Sequence, residues 1–193
     1  MEHEAHFGVG RTSNRQKEQA LANDAHNRVR DLYVTGLRNA HAMENQALSI
    51  MKPQLERIEN YPQVAEKLDQ HIRETEGQIG RLDSLLEGLG ESNSTIKDMA
   101  LSLGGTMAAM GHTVAGDEIL KNSFANFAFE NFEIAAYNSL LVIADLAGET
   151  RAEGPLRQNL SEEEGMARWL QASLADVTRH FAELKSVGEE AKV

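Results

Sequence analysis

The sequence predicts an all-α protein built as a bundle of four long helices. Three observations support this prediction: the chain has only 3 prolines, it is rich in helix-forming Ala, Leu, Glu and Gln, and its apolar residues recur at steps of three and four. No segment shows the alternation of a convincing strand. At 193 residues the chain suits one domain with a sizeable core.

The composition excludes several classes of function. Because the chain has 0 cysteines, thiolate catalysis, disulfides and sulfur-ligated metals are ruled out, and a reducing cytoplasm is the expected location. A net charge of -11 disfavours nucleic acid and anionic membranes as partners and suits cation binding. No apolar run approaches the roughly 18 residues of a membrane span, so no membrane association is expected.

The first long helix is predicted over residues 23–52, because Pro53 disfavours helical geometry in the residue before it. Residues 1–22 lack a sustained apolar face and are predicted to form a flexible polar arm. The inward seam of the helix follows steps of three and four: Leu37, His41, Glu44, Leu48 and Met51. A histidine and a glutamate therefore occupy positions where apolar side chains normally pack.

A second helix is predicted to begin at Pro62, which suits a first helical turn, and to end near Leu89. Its seam has polar residues in the middle and aliphatic residues on either side: Val64, Leu68, His71, Glu74, Gln78, Leu82 and Leu85. After a loop at residues 90–94, a shorter helix over residues 96–110 is predicted within the crossover to the third long helix.

The third long helix is predicted to start at Gly116-Asp117 and to be closed by Gly148. Within it, Glu130 and Glu133 lie three residues apart among aromatic residues, so both carboxylates share one face. Tyr137 lies one turn further along the same face. An acidic face on an otherwise apolar helix is the most unusual feature of the sequence.

The fourth long helix is predicted over residues 154–187, starting at Gly154-Pro155 and leaving residues 188–193 as a tail. Its seam again contains an acid: Leu160, Glu163, Ala167, Leu170, Leu174, Val177, Phe181 and Leu184. The bundle domain is therefore predicted to span residues 23–187.

Each helix thus offers an acid at mid-height: Glu44, Glu74, Glu130, Glu133, Glu163 and Glu164. Ionised carboxylates in an apolar core cost roughly several kcal/mol each unless a cation neutralises them. Helices of this length with a long crossover are typical of ferritin-like bundles, in which such carboxylates hold two metal ions. The sequence therefore predicts a dinuclear iron centre, or a manganese centre, since both metals accept oxygen ligands.

The same acids are also compatible with a protein that binds no metal. A solvated helix face would account for the acids of the first three helices. Ser161 and Glu164 form a capping-box pattern, so Glu163 and Glu164 would be first-turn acids if the fourth helix starts late. The residues alone do not decide whether Glu163 or Glu164 is the fourth-helix ligand.

Four polar residues are predicted to surround the ligands rather than to bind metal. His41 and His71 each lie three residues before a candidate glutamate, and a histidine in an apolar seam is more often a hydrogen-bonded core residue than a ligand. Gln78 is predicted to orient a carboxylate. Tyr137 is predicted to cap the site with its hydroxyl or simply to pack.

With these motifs in order, the chain resembles the ferritin-like stress proteins of the YciF and YciE type over about residues 31–184. The resemblance rests on four segments: residues 38–48, 71–82, 129–137 and 160–164. It implies a rubrerythrin-like bundle, a homodimer and a dinuclear site. The histidine ligands of rubrerythrin-like sites do not carry across, because Gly77 stands three residues after Glu74 and Met166 and Ala167 follow the fourth-helix acids. In their place, His41 or His71 could supply a nitrogen ligand.

Two functions follow from these observations. The first is a cytoplasmic stress-response protein that binds a dinuclear iron or manganese centre and handles peroxide or oxygen there; neither the catalytic residues nor turnover itself is specified by the sequence. The alternative is a metal-free structural or interaction protein that works as a dimer and carries a vestigial site. The metal content of the purified protein distinguishes the two.

Overall fold

The structure, a computed structural model, describes residues 9–91 and 116–193, with side-chain surroundings from residue 15 onward. It contains four long helices: α1 (Val9–Arg57), α2 (Pro62–Gly88), α3 (Glu118–Leu146) and α4 (Glu153–Val187). A 3-10 turn, Thr150–Ala152, joins α3 to α4. The predicted all-α four-helix bundle is confirmed, whereas the predicted crossover helix of residues 96–110 lies outside the described residues.

The helices pack as two antiparallel pairs. α1 packs on α2 and α3 packs on α4, and contacts between α1 and α3 and between α2 and α4 close the bundle. The guanidinium of Arg57, in the last turn of α1, lies 2.8 Å from the carboxylate of Glu118, in the first turn of α3. We call this end, where the chain turns at residues 58–61, the elbow end. α2 and α3 both start there and run in the same direction.

The half of the bundle away from the elbow end has an apolar core. It is packed with fully or almost fully buried leucines: Leu37, Leu82, Leu86, Leu140 and Leu156. Truncating one such leucine to alanine typically costs about 2–5 kcal/mol. The helices are therefore held rigidly on one side of the bundle's middle, which fixes the side chains that point inward at mid-height.

The first helix is longer at its C-terminal end than the sequence predicts. Its predicted end at Lys52 is wrong, because α1 passes through Pro53 and continues to Arg57. Proline costs the helix one backbone hydrogen bond. The last turn is held by side chains instead: Gln54 exchanges amide hydrogen bonds with Asn126, and Arg57 pairs with Glu118. These tertiary contacts outweigh the local preference.

α1 also begins earlier than predicted, at Val9 rather than at residue 23. Residues 15–22 are helical and all of them are exposed, so no hydrophobic core forms around this part of α1. They consist largely of strong helix formers such as Arg, Gln, Lys, Glu, Ala and Leu, which extend an existing helix without burial. The predicted polar arm is therefore helical from Val9 onward.

The segment after α4 folds back over the elbow end. Gly188 ends the helix with a φ of 78°, in the left-handed region that favours glycine. The carbonyl of Lys192 accepts a hydrogen bond from the amide of Ile119 at 2.9 Å, and the hydroxyl of Tyr61 donates to the carbonyl of Ala191 at 2.7 Å. The tail thus connects the start of α3 to the turn between α1 and α2.

Gly36 is the point of close approach between α1 and α3, because a Cβ atom there would lie 2.7 Å from the Cδ1 of Leu140. We expect Gly36→Val to lower the free energy of unfolding by about 1–3 kcal/mol, since the new side chain overpacks this contact. Urea denaturation measures the change. Gly80→Val in α2 is the matched control, because nothing lies within 4 Å of its Cβ position. Equal effects of both substitutions would contradict the close approach.

Candidate metal centre

Five ionisable side chains point into the middle of the bundle, and every helix contributes at least one. We call them the centre: Glu44 of α1, His71 of α2, Glu130 and Glu133 of α3, and Glu163 of α4. None of them is more than 2% exposed. They lie there because each occupies a seam position at which three- and four-residue steps turn the side chain toward the bundle axis.

His71 lies among the carboxylates. Its Nε2 atom is 3.2 Å from Oε2 of Glu130 and 3.5 Å from Oε2 of Glu163, and its Nδ1 atom is 3.2 Å from Oε2 of Glu74. Burial opposes a charge on the ring, but the hydrogen bonds to Glu130 and Glu74 outweigh it and raise the pKa of His71 to about 10. Without a metal, the imidazolium is therefore a cation inside the acidic centre.

Glu74 lies beside the centre rather than in it. Its side chain is 25% exposed and accepts hydrogen bonds from His71 and, at 2.7 Å, from the amide of Gln70. The hydrogen bond from His71 lowers the pKa of Glu74. A carboxylate behind a histidine fixes the tautomer and orientation of the ring, which is a common arrangement behind metal-binding histidines.

A hydrogen-bonded network holds one oxygen of Glu44. The buried hydroxyl of Tyr137 lies 2.5 Å from Oε1 of Glu44 and accepts a hydrogen bond from the amide of Asn159 at 2.8 Å. Because Asn159 supplies the donor, the hydroxyl of Tyr137 points its own hydrogen at Glu44. Burial and then the charge of Glu44 raise the pKa of Tyr137, so it stays a donor. Arg81 donates in turn to Asn159 at 2.5 Å.

Several oxygens of the centre lack donors. Among the described residues, no amide, ring or hydroxyl group donates a hydrogen bond to either oxygen of Glu133 or to Oε2 of Glu44. Gln78 donates to Oε1 of Glu163. A buried carboxylate without partners costs roughly several kcal/mol, so oxygens left free in this way need either protons or a cation.

The cost of burying ionised carboxylates in the centre also appears as shifts in their pKa values. Burial raises the pKa of Glu44 to about 8. Burial also raises the pKa of Glu133 well above its ordinary value, and the charges of Glu44 and Glu163 add to that rise. Burial and the charge of Glu130 do the same to Glu163. In the absence of a metal ion, the centre therefore holds protons on groups that are normally ionised at neutral pH.

The donor set fits divalent metal ions. One ligand atom each from His71, Glu130 and Glu163 lie within 4.8 Å of one another. The unpartnered oxygens of Glu133 and Glu44 face the same buried space. The four buried carboxylates of the centre would balance the charge of two dications if His71 binds as a neutral imidazole. Oxygen donors with one nitrogen suit iron or manganese, since no soft ligand is present.

The structure brings together four of the six acids that the sequence predicts as ligands: Glu44, Glu130, Glu133 and Glu163. Glu74 reaches the centre only through His71. Glu164 lies outside the centre, with its side chain 44% exposed and next to Arg168. Because α4 starts at Glu153, Ser161 lies inside the helix, and the capping-box interpretation of Glu163 and Glu164 is wrong.

The four predicted surrounding residues fall into different places. Gln78 donates a hydrogen bond to Glu163 and Tyr137 donates one to Glu44. His71 lies within the centre instead of behind it, which favours the alternative that it supplies a nitrogen ligand. His41 does not reach the centre, because its Nε2 atom lies 3.1 Å from Asp83 and its Nδ1 atom 3.3 Å from Asn45.

Sequence reasoning missed two residues of the network around Glu44. Asn159 is fully buried and lies four residues before Glu163 on the same face of α4, a spacing that could have identified it. Arg81 follows Gln78 by three residues and pairs with Glu162 at the edge of the bundle. Asn and Arg are rarely buried, so their inward positions become evident only when the rotation of each helix is known.

In the described part of the chain, none of the four helices offers the unbroken apolar length that a membrane span requires.

Comparison with known proteins identifies the family. The sequence model of a family described as a domain of unknown function, DUF892, matches residues 28–183. The chain belongs to the DUF892 family. The match covers all five residues of the centre, and it confirms the family resemblance that the sequence motifs indicate.

This DUF892 chain is similar in sequence to a protein of Escherichia coli and to a solved structure from Xanthomonas campestris. It is 28% identical to the protein YciF of Escherichia coli strain K12 over 143 residues, which span 70% of this chain and 83% of that protein. A solved structure of a protein from Xanthomonas campestris pv. campestris is 30% identical, with a TM-score of 0.68, and the alignment covers 82% of this chain and 99% of that one.

The solved structure of the E. coli stress protein YciF supports the fold of the DUF892 chain. Its TM-score is 0.61 at 21% identity, with 77% of this chain and 95% of that chain covered. At this identity the likeness shows the fold alone. The bundle is thus common to these proteins, whereas the chemistry of the centre depends on its own side chains.

Proposed function

We propose that this DUF892 protein is a cytoplasmic stress-response protein whose bundle binds two divalent iron or manganese ions and acts on peroxide or oxygen. The observation that carries the proposal is the set of buried carboxylate oxygens without donors in the centre. A protein that never binds a cation there would be more stable with neutral side chains at these positions. The name of one relative, the stress protein YciF of E. coli, supports the physiological setting.

Each residue of the centre has a role that its contacts suggest. Glu130, Glu133 and Glu163 would supply carboxylate oxygens to the metal pair, and His71 would supply Nε2 once its proton leaves. Glu44 would bind through Oε2 alone, because Tyr137 occupies Oε1. A bound iron or manganese pair supplies Lewis acidity and redox chemistry toward small oxygen species.

The residues around the ligands would fix their orientation. Glu74 holds Nδ1 of His71, so that Nε2 faces the carboxylates, and Gln78 holds one oxygen of Glu163 and leaves the other free. Tyr137 keeps its proton because burial raises its pKa, so it donates to Glu44 at any physiological pH. Such supporting contacts typically change metal affinity by about 10- to 100-fold.

Metal analysis tests the proposal. Protein purified without chelators, or reconstituted anaerobically with Fe²⁺ or Mn²⁺, is expected to hold about two ions per chain. Because the ions bind the folded state, a free metal concentration of about 100 times Kd should add about 2.7 kcal/mol per bound ion to the free energy of unfolding. Elemental analysis and thermal denaturation measure the two effects. A chain that holds no metal and gains no stability would support the metal-free alternative.

We also propose that the protein forms a homodimer through the outer face of α3. Between residues 122 and 144 this helix carries only two charged residues, and both, Glu130 and Glu133, are buried. Its exposed side includes large apolar side chains: Phe124, Phe132 and Val142. A groove of about 470 Å³ between α1 and α3 lies beside Phe132. In a chain of net charge -11, an uncharged apolar face is where a second copy meets least repulsion.

Replacing Phe132 by glutamate is expected to convert the dimer to a monomer. In a two-fold symmetric dimer, the outer face of α3 packs against the same face of the second copy. The substitution would therefore bury two like charges at one interface. Light scattering coupled to gel filtration should give about twice the chain mass for the wild type and the chain mass for Phe132→Glu. Val187→Glu, at an exposed apolar position on α4, should remain dimeric. A monomeric wild type would contradict the proposal.

A further inference from the structure

A small cavity lies in the core between the centre and the elbow end. Its volume is about 10 Å³, which is room for about one water molecule. Aliphatic and aromatic side chains form part of its lining. The rest of the lining consists of four polar side chains: Gln54, Asn122, Ser123 and Asn126. We call this cavity the amide chamber. None of the residues that line it is charged.

The amide chamber lies next to the centre, on the side of the elbow end. Leu68, Asn126 and Met166 line the chamber, and each lies about one helical turn from a residue of the centre on the same helix. The corresponding residues of the centre are His71 on α2, Glu130 on α3 and Glu163 on α4. Three of the four helices therefore stack the chamber against the centre.

The polar lining is an ordered arrangement. Asn126 donates to Oε1 of Gln54 at 2.8 Å, and Gln54 donates back to Oδ1 of Asn126 at 3.3 Å. The hydroxyl of Ser123 donates to the carbonyl of Ile119 at 2.8 Å. All of these side chains are less than 10% exposed. On the other side of the centre, the first helical turn holds the hydrogen-bonded pair Tyr137 and Asn159, and leucines fill the core beyond it.

An open surface pocket adjoins the chamber. The pocket has a volume of about 430 Å³ and lies beside the first turn of α2. Val64 and Trp169 line both the pocket and the chamber, so these two side chains form the partition between them. A small movement of either side chain would join the surface to the chamber.

The opposite side of the centre is closed. The hydroxyl of Tyr137 is held between Glu44 and Asn159, and the guanidinium of Arg81 holds both Asn159 and Glu162. Tyr137 and Asn159 are fully buried, and beyond them lies the apolar core. A polar solute that travels in this direction would have to break the network and then enter hydrocarbon.

We infer that small neutral polar solutes reach the centre from the surface pocket, past Val64 and Trp169 and through the amide chamber. The inference rests on the proposed function and narrows its substrate class to molecules close to water in size, such as hydrogen peroxide. Amides and a hydroxyl stabilise such a solute by hydrogen bonds, whereas the volume of the chamber excludes bulky organic hydroperoxides.

Two substitutions change the route without touching the centre. Ser123→Val places a methyl group in the chamber and fills it, and Val64→Ala removes part of the partition. Val29→Ala is the matched control, because Val29 is also a partly buried core valine but lies roughly 37 Å along α1 from Gln54, at 1.5 Å per residue. None of the three positions offers a metal ligand, so all variants should hold as much metal as the wild type.

The first measurement is a high-resolution crystal structure of the wild type and of Ser123→Val, both without metal. The wild type should show an ordered water bonded to the amide pair of Gln54 and Asn126, and Ser123→Val should show none. The second is the rate of oxidation of the Fe²⁺-loaded protein by hydrogen peroxide and by tert-butyl hydroperoxide. Two Fe²⁺ ions each give one electron, and one hydrogen peroxide with two protons becomes two waters.

At equal iron content, Ser123→Val should react with hydrogen peroxide about tenfold more slowly than the wild type, and Val64→Ala should react with tert-butyl hydroperoxide about tenfold faster. Val29→Ala should leave both rates unchanged. A dry chamber in the wild type, or rates that no substitution changes at full iron content, would overturn the route alone. A wild type that holds no iron would overturn the proposed function and the route with it.

Discussion

Replacing Glu133 by glutamine is expected to abolish binding of the metal pair and to make the metal-free protein more stable. In the part of the chain that the structure describes, no amide, ring or hydroxyl group donates to either oxygen of Glu133, and this residue is 1% exposed. The amide has the same shape but never carries a charge, so it cannot neutralise a dication, and it needs no proton in order to be buried beside the other acids. Elemental analysis and urea denaturation of the same preparation measure the two effects.

The loss of metal binding and the gain in metal-free stability both result from removing the acid of Glu133. In the metal-free protein, Glu133 is a buried acid surrounded by the acids Glu44, Glu130 and Glu163. Replacing such a group by a neutral one of equal volume commonly stabilises a protein by about 1–3 kcal/mol. With metal present the order reverses, because only the wild type gains binding energy, about 2.7 kcal/mol per bound ion at a metal concentration of 100 times Kd.

Glu164→Gln is the matched control for this prediction. Glu164 belongs to the same predicted set of acids, but its side chain is 44% exposed and points away from the centre. We expect its substitution to leave the metal content unchanged and to alter stability by less than about 0.5 kcal/mol. A Glu133→Gln protein that binds the full metal pair, or that is less stable than the wild type without metal, would contradict the assignment of Glu133 as a ligand.

The helices themselves could be predicted closely because their ends carry local signals. Pro62 marks the start of α2, and glycines with positive φ follow α3 and α4, at Gly148 with 74° and Gly188 with 78°. The ends of α1 could not be predicted from such signals. Its passage through Pro53 depends on contacts with α3, which lies far away in the sequence.

The centre was predictable to the level of a seam but not to the level of a side-chain direction. Glu163 and Glu164 are neighbours, and on a helix with 3.6 residues per turn they point about 100° apart, so a small error of rotation exchanges them. The structure buries Glu163 fully and leaves Glu164 at the surface. Steps of three and four identify the apolar face of a helix. The exact rotation of the helix about its axis, and so the side chain that points inward, is set by packing against the other helices.

The position of His71 shows a further limit. Its spacing of three residues before Glu74 predicts a contact between them, and the structure contains that contact at 3.2 Å. The spacing does not reveal that the other side of the ring faces Glu130 and Glu163, because those residues belong to α3 and α4. Contacts between helices distant in the sequence therefore decide whether a histidine is a candidate ligand or only supports one.

The second large effect is expected at the elbow end, where Arg57→Met should lower the free energy of unfolding by about 2 kcal/mol. The carboxylate of Glu118 is fully buried there, 2.8 Å from Arg57 and 3.3 Å from Lys192. Removing one partner leaves a buried charge poorly paired. Breaking a fully buried pair costs about 3–5 kcal/mol, and the value is smaller here because Arg57 is 33% exposed and Lys192 remains.

Arg157→Met provides the control for this substitution. Arg157 pairs with Glu153 at 2.8 Å, but both side chains are more than 60% exposed. An exposed pair of this kind contributes roughly 0–1 kcal/mol, so its loss should be hardly measurable. Urea denaturation near neutral pH compares the two variants with the wild type. Equal effects at both sites would show that Glu118 is not held as a buried ion.

The pH dependence of the Arg57→Met effect tests its electrostatic origin. Burial alone would raise the pKa of Glu118, but the hydrogen bonds from Arg57 and Lys192 outweigh it and hold the pKa below the ordinary value of 4.5. A lowered pKa means that the unfolded state binds more protons, so this stabilisation is present above 4.5 and is lost as the pH falls through the folded-state pKa of Glu118. The difference in stability between wild type and variant should therefore be largest near neutral pH and shrink in acid. A difference that stays constant with pH would mean that Arg57 contributes by packing alone.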